Sequence, residues 1–385
     1  MKLLKVKQND GEIFFDEFDR THYKIMNSGE YINKSNIGIK FENINEYMKY
    51  ITNINYLSNV YYNITKRCNM KCTYCYSNNE NSSVSLDENN IIIDKLEKLR
   101  TRKVTLIGGE PFCHTNFYEI LERIKSMKNI EEICIVTNGT LIDKERLEPF
   151  KDFRISLQIS LDGANEEINS LTRGKGNFEK VMRTLEYLKN EDIVFKVMQV
   201  ITRENIIHAK NFYKYFKDKE IETGFFMVKQ VNEDIKPTLN QLKDLLDFIY
   251  INEEEDVHRV FDIVKFADNM MFNNEGFPIT HCGAGINTIS INPNGDVFPC
   301  VKRSEKKDLI TNLLLDDCIE TIEKNRLKIF KKDLVKEKEY CKECKIKYFC
   351  GGGCRAEEIN GIPCEYNCQY FNFAFEYFGG KIYEK

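Results

Sequence analysis

Three cysteines, Cys68, Cys72 and Cys75, stand within eight residues in the stretch Ile64-Thr65-Lys66-Arg67-Cys68-Asn69-Met70-Lys71-Cys72-Thr73-Tyr74-Cys75-Tyr76. Thiolates at that spacing can take three corners of a four-iron, four-sulfur cluster. A ferredoxin-type run would close the fourth corner with another cysteine. None follows here, so one iron is left open to a ligand that is not protein. The competing reading is a zinc knuckle, but three cysteines with no further Cys or His nearby make a poor closed tetrahedral site.

A second set of thiols fills the carboxy-terminal third: Cys282, Cys300, Cys341-x₂-Cys344-x₅-Cys350-x₃-Cys354, Cys364 and Cys368. The chain has 385 residues and fourteen cysteines, with no secretory signal at Met1-Lys2-Leu3-Leu4. That usage points to metal ligands in a reducing, cytoplasmic setting, not to disulfides. The balance of 56 Lys+Arg against 60 Asp+Glu gives a net charge of −4, with no basic block for nucleic acid and no apolar run fit to span a membrane. Three cysteines stand outside the sets. Cys134 reads as a small core residue within a strand, Cys113 as packing beside the Gly108-Gly109-Glu110-Pro111 turn, and Cys318 as a structural residue opening a helix.

The elements that must position these residues are legible from 60 to 228. Strands are expected at Val60–Ile64, Lys103–Ile107, Ile133–Thr137, Arg154–Leu161, Val194–Ile201 and Gly224–Val228. Helices are expected near Leu86–Leu99, opened by the capping box Ser85-Leu86-Asp87-Glu88, and near Asn116–Met127, Asp143–Phe150, Phe178–Lys189 and Asn205–Phe216. Six β-α alternations predict an α/β fold with a parallel sheet, and an open six-stranded partial barrel fits the count. Such a barrel places its chemistry at the carboxyl ends of its strands. The cysteine loop, Gly108-Gly109-Glu110-Pro111, Asn138-Gly139-Thr140 and Ser160-Leu161-Asp162-Gly163 all fall there. Two bridging helices are expected over Leu239–Phe272, and Asn292-Pro293-Asn294-Gly295 reads as a hairpin returning Cys300 towards Cys282. The aromatic run Tyr370–Phe378 reads as a closing helix packed on a core. This divides the chain into an amino-terminal α+β cap (1–55), a barrel (56–235), a bridge (236–280) and a cysteine-rich domain (281–385).

The first cysteine loop, with the glycine-rich turn that follows, resembles the radical S-adenosylmethionine (SAM) enzymes. The carboxy-terminal array, including Gly351-Gly352-Gly353 before Cys354, resembles their SPASM extension. The resemblance implies a partial (β/α)₆ TIM-like barrel whose first cluster binds SAM at its open iron. Reductive cleavage of the sulfonium there gives a 5′-deoxyadenosyl radical that abstracts a substrate hydrogen. It also implies roles for SAM-contacting residues. Gly108, Gly109 and Glu110 would meet the amino group, Ser160 and Arg173 the carboxylate, and Tyr74 the adenine, with Asn138 and Asp162 on the same rim. Asn169 stands where relatives often carry His.

Two auxiliary clusters are implied as well, an outer one on Cys341, Cys344, Cys350 and Cys368, and an inner one on Cys282, Cys300 and Cys354. Either Cys364 completes the inner set or its iron stays open, since the upstream segment Asn274-Glu275-Gly276-Phe277 supplies no cysteine. A zinc ribbon on Cys341, Cys344, Cys350 and Cys354 is the competing reading. The family resemblance implies a peptide maturase acting on a ribosomally made precursor peptide, forming a thioether or similar cross-link. An anaerobic sulfatase maturase is the alternative, but its members place an aspartate base after the cysteine equivalent to Cys300, where this chain has Val301. A multi-cluster electron carrier is the non-enzyme alternative. Expected partners are the precursor peptide and a flavodoxin or ferredoxin donor, with the chain a monomer or weak dimer. The first 55 residues are either a leader-binding module that adds a peptide strand or a simple cap.

Overall fold

Alternating inward-polar and outward-apolar residues shape the sheet on which the site is built. A computed structural model of the chain describes residues 3–8, 11–16, 22–26, 28, 31–33, 55–75, 82–228, 233–252 and 282–381. Two compact units separate: Asn55–Asp262 with Ala284–Arg326, and Met1–Ile54 with Ile263–Gly283 and Leu327–Lys385.

In the first unit, strands β5 (Asn59–Asn63), β6 (Lys103–Ile107), β7 (Glu132–Thr137), β8 (Ile155–Ser160), β9 (Phe195–Ile201) and β10 (Thr223–Met227) pair in parallel and in chain order. Each lies within a residue or two of its expected bounds. The helices between them are α1 (Leu86–Lys98), α2 (Phe117–Lys125), α3 (Glu166–Arg173), α4 (Phe178–Asn190) and α5 (Ala209–Lys217), with α6 (Leu239–Asn252) following β10. At the start of α1 the Ser85 hydroxyl accepts from Glu88 N–H at 3.2 Å, while the Glu88 carboxylate accepts from Ser85 N–H at 2.8 Å. The helix expected at Asp143–Phe150 is instead two 3₁₀ turns, Lys144–Arg146 and Glu148–Lys151. Pro149 has no N–H with which to continue an α-helix across that point.

The sheet continues past its first strand. β11 (Thr288–Ile291) joins β5 in parallel, and β12 (Asp296–Phe298) and β13 (Thr311–Asn312) extend it antiparallel. The expected hairpin is present between β11 and β12, with Gly295 at φ +85°. Residues 284–326 therefore pack with the barrel, although the sequence grouped them with the cysteine-rich segment.

Outward-facing Val60, Tyr62, Val104, Leu106, Ile133, Ile135, Leu157 and Ile159 are fully buried against the helices. The inner face is polar. Thr105 Oγ1 donates to Asn59 Oδ1 at 2.9 Å, Lys103 Nζ lies 2.5 Å from Glu132 Oε1, and β8 turns Ser156, Gln158 and Ser160 inward. Cys134 belongs to this inner row. It is buried, as expected, and its thiol bonds to Ser156 among the charges of Lys103, Glu132 and Lys196.

In the second unit, β1 (Leu3–Gln8), β2 (Gly11–Asp16), β3 (His22–Met26) and β4 (Tyr31–Asn33) form an antiparallel sheet. The chain closes with α8 (Glu365–Lys381), which follows α7 (Cys318–Asp333) and buries Tyr370, Phe371, Phe375 and Phe378, as expected of a closing helix. Cys318 is fully buried at the first position of α7. The second bridging helix and Asn274–Phe277 lie outside the described residues.

Tyr62 O–H donates to Asn89 Oδ1 at 2.5 Å in the seam between β5 and α1. Tyr62→Phe would leave that buried acceptor bare and is expected to cost about 1–3 kcal/mol. In urea unfolding this would appear as a lower midpoint with an unchanged slope.

Candidate active site

The cysteine loop leaves β5 and is tied to the rim at three places. Gly109 N–H donates to Thr65 O at 2.7 Å and Glu110 N–H to Arg67 O at 2.8 Å. A Cβ at Gly109 would stand 2.4 Å from Arg67 O and 2.6 Å from Lys66 O. The glycine is thus required by the loop's own backbone, a closer constraint than the approach of a ligand that the sequence alone implied. Thr73 N–H donates to Thr172 O at 2.9 Å, which joins the loop to α3. Asn69 Nδ2 donates to Thr140 Oγ1 and Asn138 Nδ2 to Asn69 Oδ1, each at 2.8 Å, joining the loop to the end of β7.

Two buried carboxylates hold the rim from within. Glu110, 1% exposed, accepts from Thr137 Oγ1 at 2.7 Å, Asn138 N–H at 2.7 Å and Phe112 N–H at 3.2 Å. Burial pushes its carboxyl up to about 7 despite those donors. Asp162, fully buried, accepts from Tyr74 O–H at 2.6 Å, Thr172 Oγ1 at 2.7 Å and Val200 N–H at 3.0 Å, and lies 2.9 Å from Arg173 Nε. Both side chains are engaged internally, so they brace the groups around them and have little left to offer a ligand.

Ser160 and Arg173 differ from them. Ser160 is half-buried at the end of β8, and among the described residues its hydroxyl has no hydrogen-bond partner. Arg173 is almost fully buried. Burial alone would lower its pKa, but Asp162, Tyr74 and Cys72 raise it above the usual range. Its Nε–H is close to Asp162 yet not aimed at an acceptor, which leaves a buried donor unsatisfied. Nearby, Asn169 accepts from Asp162 N–H at 3.0 Å while its own Nδ2 is buried without a partner. Arg173 and Asn169 sit on α3, a helix the sequence reading had passed over. Its signal was Asn165, whose Oδ1 caps Ile168 N–H at 2.9 Å, followed by Glu166 and Glu167 in the first turn.

Cys68 and Cys72 interact electrostatically, as do Cys72 and Cys75. Met70 N–H donates to Cys68 Sγ at 3.4 Å. Burial, Glu110, Cys72 and Cys113 push Cys68 up to about 11. Cys113 is thus beside the loop and near Asn69 N–H, closer to the site than a packing role implied. Thiols held this way resist ionising unless a cation takes up the charge, which suits a metal centre.

In the second unit, Cys350 feels the charges of Cys344, Cys341 and Cys368, and with burial foremost it is raised to about 12. Cys368, raised to about 11, feels Cys341, Cys344 and Cys364. Among the described residues no three Cys, His, Asp or Glu converge for a single metal ion. A four-iron cluster makes a different demand, with thiolates set around a cube. Cys300 lies in the first unit, and Cys282 and Cys354 in the second.

Arg355, absent from the sequence reading, organises the glycine turn between Cys350 and Cys354. Its Nη1 donates to Gly352 O at 2.7 Å, and its Nη2 donates to Gly351 O at 2.7 Å and Asp333 O at 2.6 Å. All three glycines have positive φ, and a Cβ at Gly352 would stand 2.6 Å from Arg355 Nη1. The adjacent Cys354-Arg355 pair after three glycines was the signal to be found.

The cysteine loop thus stands on the carboxyl rim of a parallel half-barrel, beside a buried guanidinium whose Nε–H is unsatisfied. Over residues 62–216 the chain matches the radical SAM superfamily. It is 27% identical over 347 residues to the cysteine-type anaerobic sulfatase-maturating enzyme of Clostridium perfringens, covering 80% of this chain and 93% of that one. It is 28% identical over 324 residues to the mycofactocin maturase MftC of Mycolicibacterium smegmatis, covering 78% and 79%. Its fold matches that of SuiB from Streptococcus suis with a TM-score of 0.67 at 16% identity, over 95% of this chain and 98% of SuiB. SuiB has also been solved with S-adenosylmethionine and with the precursor peptide SuiA. No helix among the described residues is long and apolar enough to cross a membrane.

Two outcomes test this geometry. Asp162→Ala would leave Arg173 as an uncompensated buried charge and is expected to cost about 3–5 kcal/mol in chemical denaturation. Glu110 titrates near 7 when folded against an ordinary 4.5, so between those values the folded state holds a proton that the unfolded chain has released. Stability of the iron-free protein should therefore fall as pH rises from about 4.5 to about 7. Thermal unfolding of Glu110→Gln across the same range should lack that slope.

Proposed function

We propose that the protein is a peptide maturase that modifies a ribosomally made precursor at an unactivated C–H, forming a thioether or related cross-link. The observation that carries this reading is the placing, at the carboxyl ends of one parallel sheet, of the cysteine loop, Ser160, whose hydroxyl has no partner among the described residues, and Arg173, whose Nε–H is unsatisfied. A four-iron cluster with SAM on its open iron supplies, once reduced, the power to abstract hydrogen from such a bond. The chain's residues hold and orient it. The three thiolates ligate the irons, and Arg173 and Ser160 receive the SAM carboxylate by charge-assisted hydrogen bonds. The backbone of Gly108–Glu110 faces the amino group, and Tyr74 and Asn138 fix the loop on which the ligand rests. The polar inner face of β5–β9 gives a peptide hydrogen-bonding groups within the half-barrel.

The carboxy-terminal thiols hold auxiliary clusters, which offer a route for the electron released when a cross-link forms. A low-potential donor such as a flavodoxin or ferredoxin reduces the first cluster, and the chain works as a monomer or weak dimer. A sulfatase-maturase role is favoured by the similarity over 347 residues to such an enzyme. It is opposed by Val301, which can take no proton.

Anaerobically reconstituted protein, reduced with dithionite, should release 5′-deoxyadenosine and methionine from SAM. Cys72→Ala should release none while retaining iron in the carboxy-terminal thiols. Ser160→Ala should weaken SAM roughly ten-fold or more. With a cysteine-containing peptide, loss of a hydrogen pair marks a cross-link and a new aldehyde marks the sulfatase-type reaction. Iron-free protein, or zinc in the first triad, would overturn the reading.

A further inference from the structure

The inner face of the half-barrel carries one positive charge that the sheet itself does not match. Gln158 on β8 stands opposite Val136 on β7 and Lys196 on β9. The pairing of β6 with β7 carries that level on to Ile107, which stands opposite Asn63 on β5. The alternate residues Tyr62, Leu106, Ile135, Leu157 and Val197 are fully buried on the helix side, so this row faces the lumen, and its five members are half-buried. Ser160 lies two residues further along β8 on the same face, roughly 7 Å nearer the rim.

Two lysines point into the lumen, and they differ. Lys103 is answered by Glu132 at 2.5 Å. Among the described residues Lys196 has neither an ion pair nor a hydrogen bond, and the side chain of Gln158 has no partner either. Glu222, the acidic residue level with Lys196 beside β10, is exposed and forms no ion pair with it. A half-buried ammonium loses hydration without recovering it in a bond. Opposite residues on paired strands stand about 5 Å apart, so Lys196 and Gln158 can both donate to one carboxylate. One cation and one amide suit a single negative charge, and Ile107 and Val136 beside them suit its methylenes. At the far end of the row Asn63 Oδ1 is buried with no donor, an acceptor open to a peptide N–H.

We propose that Lys196 and Gln158 form a carboxylate-binding floor beneath the SAM site, so that the protein selects a peptide bearing a carboxylate on or next to the residue it modifies. The inference rests on the maturase reading and narrows its substrate class. The carboxylate belongs either to an acidic side chain or to the peptide's own carboxy terminus.

Three pentapeptides test this by calorimetric titration of reconstituted, SAM-loaded, full-length protein. One is blocked at both ends with a central glutamate, one is the same with glutamine, and one is the glutamine peptide with a free carboxy terminus. Wild type should bind one of the two acids about ten-fold or more tighter than the blocked glutamine peptide, and which acid it prefers identifies the source. Lys196→Met should erase the preference at wild-type iron content, and Lys196→Arg should keep it. Lys196→Gln repeats the measurement should Lys196→Met precipitate. Equal binding of acid and amide by wild type, no binding of either acid, or a preference that survives Lys196→Met overturns the proposal. Protein that selects the acid yet releases no 5′-deoxyadenosine from SAM would overturn the maturase reading and leave the carboxylate site standing.

Discussion

The rim of this half-barrel is organised around one buried negative charge. Asp162 draws together Tyr74 from the cysteine loop, Thr172 and Arg173 from α3, and the backbone of β9. Those segments are far apart in the chain, and each contributes a group that would otherwise be costly to bury. Arg173 balances the carboxylate, and the carboxylate in turn favours the buried guanidinium. Arg173 nonetheless stays buried with its Nε–H unsatisfied, which no packing requirement explains. A ligand carboxylate would complete the arrangement.

The two thiol sites meet a shared difficulty by different means. Grouped sulfurs repel when ionised, and burial opposes the ionised form as well. At the first loop the N–H of Met70 and the charge of Arg173 offset part of that cost for Cys68 and Cys72. In the second unit the offset comes from Gly352 N–H at Cys350 and Arg355 at Cys341. Arg355 therefore serves twice, holding a turn of three left-handed glycines and lowering the electrostatic cost of a neighbouring thiolate.

Much of this was legible in the chain. The six strands from Asn59 to Met227 could be read because apolar residues repeat where helices cover the sheet. What escaped was tertiary. A short helix such as α3 shows too few periods to be recognised, although Asn165 marked its start. The glycines of Gly108-Gly109 answer to Lys66 and Arg67 backbone, a contact that no local pattern encodes. Cys134 is buried as a hydrophobic strand predicts, and only the pairing of strands shows that it stands beside Ser156. Pro149 ended an expected helix that the surrounding periodicity had favoured.

The division of the sheet into two faces has a consequence for how such a scaffold diverges. Leu157 and Ile159 on the covered side have no solvent exposure, and replacements there would leave holes beneath the helices. Gln158 and Lys196 on the inner side are only half-buried and take no part in that packing. Drift at such positions costs the scaffold little, so a lineage could retune the inner face one residue at a time while inheriting the rim braced by Asp162 and Glu110 unchanged.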